Sequence, residues 1–369
     1  MRILVLGNIN SKWVKEYIEY VLIPLGHMVD ILGDENNCNY AEFYRDKGIV
    51  IHRPEYAEPF FRKLPFVKVI SAVRRIVKSN RWSHYDLIVN LFVNYRDLMI
   101  TQKIRKKNTK TVMYFCGREL LRKSKAAVRL YNVFLPHTDY YVMGSQTLLT
   151  DFNRKIGKRD CCEVIRFGIS AFDSIDRLLI SRKVESRGYT FCIGYNGGKA
   201  QQHLAVLDLF AKLPENLKQK ASLIVPMTYM ATPDYIAEVK LKLERTGIEY
   251  RQYTEFRDND QMAELWCSTD YFINAQTTDS LSASVLESVY AGCELVNPGW
   301  LDYPEYRDMG IKMTEYSDFE ELYTIITDIL EGRFAPAGSS NRQALHDAMS
   351  WESSRSRWAA LIASFEKGK

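Results

Sequence analysis

No stretch of this chain is long and apolar enough to span a bilayer. Its longest apolar runs, such as Ile3 to Leu6, are strand-sized, far short of the ~20 residues a membrane-crossing helix needs. No charged-then-apolar leader follows Met1, which runs straight into Ile3-Leu4-Val5-Leu6; the expectation is a chain that stays in the cytoplasm. Cysteine is scarce and unpatterned: seven residues, an odd number, with no C-x-x-C. That excludes a disulfide framework and favours reduced thiols, the adjacent Cys161-Cys162 being structural. A G-x-G-x-x-G fingerprint is missing where the first strand ends. Gly7 is followed by Asn8, Ile9, Asn10 and Ser11, which argues against NAD or FAD, and no cofactor is expected. There is no internal repeat, no low-complexity tract and no recognisable nucleic-acid-binding motif.

What is present is ordinary for a globular protein: 369 residues, 46% hydrophobic and 26% charged, enough for two domains. The net charge of +5 hides an asymmetry. Residues 1–180 hold 30 Lys+Arg against 18 Asp+Glu, and residues 181–369 hold 20 against 27. A basic half joined to an acidic half suggests that the first faces something anionic. Residues 56–82 interleave aromatic, aliphatic and basic side chains, including Phe60, Phe61, Arg62, Lys63, Phe66, Arg74, Arg75, Lys78 and Trp82. This is the composition of a segment lying on an anionic membrane surface, or of an amphipathic helix with a solvated basic face.

Ile3–Leu6 reads as a strand and Trp13–Leu25 as a helix with apolar positions at helical spacing. Gly26 stops that helix, and His27–Leu32 is a second strand. This βαβ opening implies a parallel sheet. Further strands are expected at Asp86–Phe92, Thr111–Phe115, Asp139–Met143 and Val164–Gly168. The polar residues 169–188 read as a hinge. A second series follows at Tyr189–Ile193, Ala221–Val225, Glu249–Tyr253, Tyr271–Asn274 and Glu294–Asn297, and the tail from Trp351 to Phe365 has helical spacing.

The most informative stretch is Ala275 to Cys293. Small polar residues lead from a buried strand into a helix marked by Leu286, Val289 and Tyr290 and stopped by Gly292. A helix N-terminus offers unpaired N–H groups and the positive end of a dipole, which suits a phosphate. Asp279 and Glu287 bracket it, eight residues apart. This points to a site for a nucleotide diphosphate-sugar.

Two α/β domains joined near mid-chain, with this stretch in the second, resemble the GT-B glycosyltransferases. Asp279 to Glu287 resembles the E-x7-E motif of the retaining family-four enzymes, with Asp for the first Glu and Ser280 and Ser282 in place of glycines. Ala291-Gly292-Cys293-Glu294-Leu295-Val296, His27 and the Trp351-Glu352 tail are similar to further parts of that family. Ile193-Gly194-Tyr195-Asn196 through His203, Pro226-Met227-Thr228-Tyr229 and Tyr253-Thr254-Glu255-Phe256 are similar to bacterial transferases that add 4-acetamido-4,6-dideoxygalactose to a lipid-linked intermediate.

The resemblance implies two Rossmann-like parallel-sheet domains facing across a cleft. Residues 1–170 would bind acceptor, 171–188 would be the hinge, 189–350 would bind the nucleotide-sugar, and 351–369 would be a closing helix packing back on the first domain. Glu287 would take the donor ribose hydroxyls, and Asp279 would take hydroxyls of the transferred sugar. Ser280, Leu281, Ser282, Ala283 and Ser284 would offer backbone N–H groups to the pyrophosphate. Asn196, Gly197, Gly198 and Lys199 would approach and neutralise the diphosphate, with His203 nearby. Thr228, Tyr229, Thr254, Glu255 and Phe256 would complete the donor side, Tyr229 lining the base pocket. In the first domain, Glu119 and Asp97 are the candidate general bases, and Asn8, Asn10, Gly117 and Arg118 the acceptor contacts.

Structural alternatives stand beside several of these. Ser284-Val285-Leu286-Glu287 is also a capping-box pattern. Asp279 also suits an Asx-turn, Gly197-Gly198-Lys199 a plain turn with a surface lysine, and His203 a capping or core position. Asp258-Asn259-Asp260 is formally D-x-D, but its charged surroundings suit a hydrated loop, and no metal is expected. The implied activity is metal-independent transfer of a hexose-type sugar to a glycan or lipid-linked acceptor in bacterial surface polysaccharide assembly, such as lipopolysaccharide or capsule. The location would be cytoplasmic, peripheral to the inner face of the membrane through 56–82, with no nucleic-acid partner. A nucleotide-sugar epimerase of the same fold and a catalytically inactive nucleotide-sugar-binding protein are the alternatives.

Overall fold

The structure, a computed structural model, describes residues 1–53, 65–116, 120, 128, 131, 133, 135–181, 189–279, 282–337 and 341–366. The chain divides into two compact units, Met1–Gly168 with Trp351–Lys369, and Ile169–Ser350.

The first unit is built on seven parallel strands: β1 (Arg2–Leu6), β2 (Met28–Leu32), β3 (Val50–His52), β4 (Leu87–Leu91), β5 (Lys110–Phe115), β6 (Tyr140–Met143) and β7 (Cys162–Val164), in the order β3-β2-β1-β4-β5-β6-β7. Register keeps like faces together, with Leu4 beside Ile88 and Val5 beside Val89. Ile3 and Val5 therefore enter one core with Leu87 and Val89, and Leu4 and Leu6 enter the opposite core with Ile88. A sheet covered on both faces reads as continuous apolar strands, which is why these elements are plain in the sequence.

The segment Trp13–Leu25, expected as one regular helix, is α-helical over Lys12–Tyr17 and then widens over Ile18–Leu22. There the Ile23 N–H reaches the Ile18 carbonyl at 3.0 Å, an i→i−5 bond. The expected strand Val164–Gly168 lies earlier, at Cys162–Val164. Gly168 instead gives room to a tryptophan: a Cβ there would fall 2.4 Å from Trp351 Cγ.

Helix Trp351–Glu366 completes this unit. Trp358 packs edge-on to Tyr17 at 4.8 Å, Trp351 stacks on Tyr20 at 5.4 Å, and Ser354 Oγ donates to the Arg166 carbonyl at 2.8 Å. Helix Pro65–Ser79 turns Val69, Val73 and Ile76 toward the core, while Arg74 and Lys78 are exposed. Val69, Val73, Ile76 and Val77 thus pack inward, while the side chains of residues 65–68 lie outside the described ones. Residues 56–64 of the basic-aromatic segment lie outside the described residues. Among the described residues, no helix is long and apolar enough to cross a membrane.

The second unit holds β8 (Tyr189–Ile193), β9 (Ala221–Pro226), β10 (Glu249–Tyr253), β11 (Tyr271–Ile273), β12 (Glu294–Pro298) and β13 (Thr314–Tyr316), all parallel, in the order β10-β9-β8-β11-β12-β13. Ile224, Cys192, Phe272 and Leu295 line up across the sheet on one face. Phe191, Ile193, Val225 and Val296 serve the other. The span read as a polar hinge is helical over Ala171–Ser181, and Phe172 and Ile175 are buried in this unit's core. Its polarity belongs to the outer face of an amphipathic helix.

Candidate functional site

In an open parallel sheet, ligands bind beyond the carboxyl ends of the strands, where the strand order reverses. The second sheet reverses between β8 and β11. The loops after β8, β9 and β11 meet there. The Gly197 N–H donates to the Tyr229 carbonyl at 2.9 Å, the Thr277 N–H donates to the Ala200 carbonyl at 2.9 Å, and Gln202 Nε2 donates to the Ala275 carbonyl at 2.6 Å.

The side chains at this junction form one polar cluster. Asn196 and Ser284 lie beside the half-exposed Tyr229 phenol, which also feels the charges of Glu287 and Asp279; partial burial first, then those carboxylates, push Tyr229 up. Tyr195 accepts from Gln276 Nε2 at 3.4 Å and has Asp279 and Ser282 beside its hydroxyl, and burial followed by the Asp279 charge raises its phenol strongly. Tyr303, from the loop after β12, donates to Asp279 Oδ2 at 2.8 Å. Of the expected donor residues, Asn196, Tyr229, Asp279, Ser282, Ser284 and Glu287 are therefore brought together. Tyr195 and Tyr303 were not anticipated; Tyr195 lay within an anticipated loop, but Tyr303 carries no local signal.

Helix Ala283–Ala291 starts at this junction. Its N-cap is Ser282, whose side chain makes no capping bond. Ser284 is therefore inside the helix, and the capping-box alternative for Glu287 is overturned. Glu287 instead accepts from Trp266 Nε1 at 3.3 Å. The first-turn N–H groups, those of Ala283, Ser284 and Val285, have no partner within the helix, which suits an anion at the dipole's positive end. At the far end Gly292 takes φ +102°, a left-handed turn that glycine adopts without a Cβ penalty.

Other expected residues fall elsewhere. His203 is fully buried and faces Tyr235 Oη at 3.3 Å; burial holds its imidazole down to about 4. It is a neutral core histidine, not a phosphate contact, because charging it would strand a cation away from water. Gly197 is required by packing within the protein: a Cβ there would lie 2.2 Å from Ala231 Cβ. Gly198 donates its N–H to Asn196 Oδ1 at 2.8 Å. Lys199 is exposed, with Nζ 5.4 Å from the Tyr235 ring centre. Thr228 is half-buried just before Tyr229. Thr254, Glu255 and Phe256 are exposed after the edge strand β10, three strands from β11. Ser280 and Leu281 lie outside the described residues.

The D-x-D carboxylates have structural partners. Asp258 caps helix Asn259–Cys267 in a reciprocal capping box with Gln261, and Asp260 Oδ1 pairs with Arg177 at 2.8 Å. Among the described residues, no group of three or more His, Cys, Asp and Glu is arranged to hold a metal.

The first sheet reverses between β1 and β4. A cleft of about 550 Å³ opens there, lined by Gly7, Asn8, Asn10, Asp34, Asn94 and Arg96 among others. Asn8 and Asn10, the expected acceptor contacts, line this cleft. Phe92 borders it at φ +59°, a strained conformation for an aromatic residue. Asp97 does not serve as a base: it is 1% exposed, accepts from Asn94 Nδ2 at 2.6 Å and pairs with Arg96 Nε at 2.8 Å. It belongs to the first turn of helix Tyr95–Ile104, which Asn94 caps. Glu119, Gly117 and Arg118 lie outside the described residues.

This pair of parallel α/β units has the fold of the GT-B glycosyltransferases. Anabaena HepE, solved in complex with UDP and glucose, superposes with a TM-score of 0.63 at 15% identity, covering 99% of this chain and 100% of that one. A glycosyltransferase from Rickettsia africae gives 0.71 at 14% identity over 100% and 99%. The lipopolysaccharide outer core galactosyltransferase WaaB, in its apo form, gives 0.66 at 13% identity over 99% of both chains. No protein-family profile and no curated protein matches the sequence.

Proposed function

We propose that this chain is a glycosyltransferase that takes a sugar from a nucleotide diphosphate-sugar bound by the second unit. The observation that carries this is the meeting of the loops after β8, β9 and β11 at the strand-order reversal, with Asp279 held there by Tyr303 beside the N-terminus of the helix that carries Ser284 and Glu287. In this assignment the diphosphate sits at the N-terminus of helix Ala283–Ala291, with Lys199 able to neutralise it. Glu287 takes the ribose hydroxyls and Asp279 those of the transferred sugar. A glycan or lipid-linked acceptor is assigned to the first unit, at the cleft lined by Asn8 and Asn10. A metal-independent reaction belongs to this reading, and it is supported by Asp258 and Asp260 serving as a helix cap and a surface ion pair.

The structural similarity to a lipopolysaccharide galactosyltransferase supports a role in bacterial surface polysaccharide assembly. Contact with an anionic membrane is assigned to the exposed Arg74, Lys78 and Arg81 through their charge, since Val69, Val73 and Ile76 of the same helix pack inward. Flotation with anionic liposomes should then fade with rising salt; no flotation at low salt removes the membrane assignment. The donor assignment is tested by thermal shift with UDP-, GDP-, TDP- and CMP-sugars. Stabilisation by one nucleotide class supports it, and a protein that none stabilises overturns it. NMR of the stabilising donor with enzyme alone then separates transfer from epimerisation, which would yield a new sugar without acceptor.

A further inference from the structure

Tyr303 lies outside every motif, yet its hydroxyl is at the centre of a buried hydrogen-bonded string whose direction the backbone dictates. Asn274, fully buried at the end of β11, accepts the Gln276 N–H on Oδ1 at 3.3 Å. That backbone donor fixes which way the amide faces, so Nδ2 is the atom that reaches Tyr303 Oη at 3.1 Å and Asn297 Oδ1 at 2.9 Å. Asn297, also fully buried, is oriented by the same logic, because its Nδ2 faces the carbonyls of Pro298 at 3.0 Å and Leu301 at 3.3 Å.

The phenol oxygen of Tyr303 therefore receives an N–H, and its proton is the group that meets Asp279 Oδ2 at 2.8 Å. A carboxylate can only accept, so every polarity in the string agrees. Tyr303 is 3% exposed and stacks on Tyr306 at 4.4 Å; burial, then the Asp279 charge, keeps the phenol protonated. A ring held by stacking and a hydroxyl held by the Asn274 amide, itself fixed by Asn297 and the Gln276 N–H, leave little freedom for the carboxylate it touches.

We propose that Tyr303 is a positioning residue that fixes the Asp279 carboxylate for recognition of a hydroxyl on the transferred sugar. This rests on the donor assignment above. It predicts a selective defect: Asp279 faces the sugar and not the nucleotide, so loss of the phenol should weaken binding of the nucleotide-sugar and spare the nucleotide.

The test is Tyr303→Phe, which removes one oxygen, keeps the ring stack and leaves Asn274 its bond to Asn297. Calorimetry with UDP and UDP-glucose, or the nucleotide and nucleotide-sugar returned by the thermal-shift panel, should show the nucleotide affinity within about twofold of wild type and the nucleotide-sugar affinity down roughly tenfold, the scale of a hydrogen bond to a charged group. In an Asp279→Asn background the same substitution should change nucleotide-sugar affinity by less than about threefold, as expected of coupled partners. Asn274→Ser, which releases the phenol from its amide, should give the same selective loss if Tyr303→Phe does not fold. Equal weakening of both ligands, or an undiminished effect in the Asp279→Asn background, overturns the assignment. A wild-type protein that binds no nucleotide or nucleotide-sugar removes the donor assignment itself, and this one with it.

Discussion

Trp266 holds Glu287 from below: the indole is fully buried, and its Nε1 donates to Glu287 Oε2 at 3.3 Å. The glutamate is partly exposed and caps no helix end, and the indole anchors one of its oxygens. Glu287→Gln keeps an oxygen for the indole and removes the charge. Donor affinity should fall roughly tenfold, with stability changed by less than about 1 kcal/mol. Glu287→Ala should add about 1 kcal/mol of destabilisation, because a buried N–H loses its partner. Isothermal calorimetry and urea unfolding separate the two effects; unchanged donor affinity with a large stability loss would make Glu287 structural.

The buried His203 ties stability to pH. Its folded value of about 4 lies below the ordinary ~6.5 of an exposed histidine. The unfolded chain therefore takes up a proton first as pH falls. The stability that comes from keeping His203 neutral is complete above about pH 6.5, is lost progressively toward pH 4, and amounts to at most about 3 kcal/mol. Urea midpoints at pH 7 and pH 5 should differ less for His203→Gln than for wild type. An identical pH dependence in the two proteins would show that His203 is not the responsible group.

Gly197 has no unusual φ and is constrained by one neighbour, Ala231. Gly197→Ala should cost about 1–3 kcal/mol through overpacking, and Ala231→Gly in the same chain should recover only part of it, because the Ala231 Cα and N would still lie 2.9 and 3.1 Å from the new Cβ. If the double variant unfolds no later than Gly197→Ala alone, the constraint comes from something other than this contact.

Asp97→Ala strips partners from Asn94 and Arg96 in a nearly dry setting, so a loss of about 2–4 kcal/mol is expected. Turnover per folded molecule should stay within a few-fold of wild type. A stable Asp97→Ala protein with turnover reduced a hundredfold would restore it as a candidate base.

Most strands were legible because burial on both sheet faces leaves short, unbroken apolar runs, as in Leu87–Leu91. β3 and β13 were not, since each has three residues at a sheet edge, too few for a periodic signal. In the site, Asp279 and Glu287 were legible from strand, loop and helix order. Tyr303 was not: its partner Asp279 is 24 residues away, and hydrogen bonds across loops leave no periodic trace. Asp97 misled because a carboxylate soon after a strand looks exposed. Asn94 three residues earlier was the overlooked sign, being the cap whose amide takes up that carboxylate.

Tyr17 and Trp358 meet in the first unit's core although nearly the whole chain separates them. The second unit, by contrast, is continuous from Ile169 to Ser350. During synthesis the order of completion is therefore reversed relative to the order of emergence. The first sheet leaves the ribosome early but keeps an unfilled groove beside Tyr17, Tyr20 and Tyr114 until Trp351–Glu366 arrives, while the later unit already has all its strands. A chain stopped before Trp351 would expose that aromatic groove and present it to chaperones and proteases.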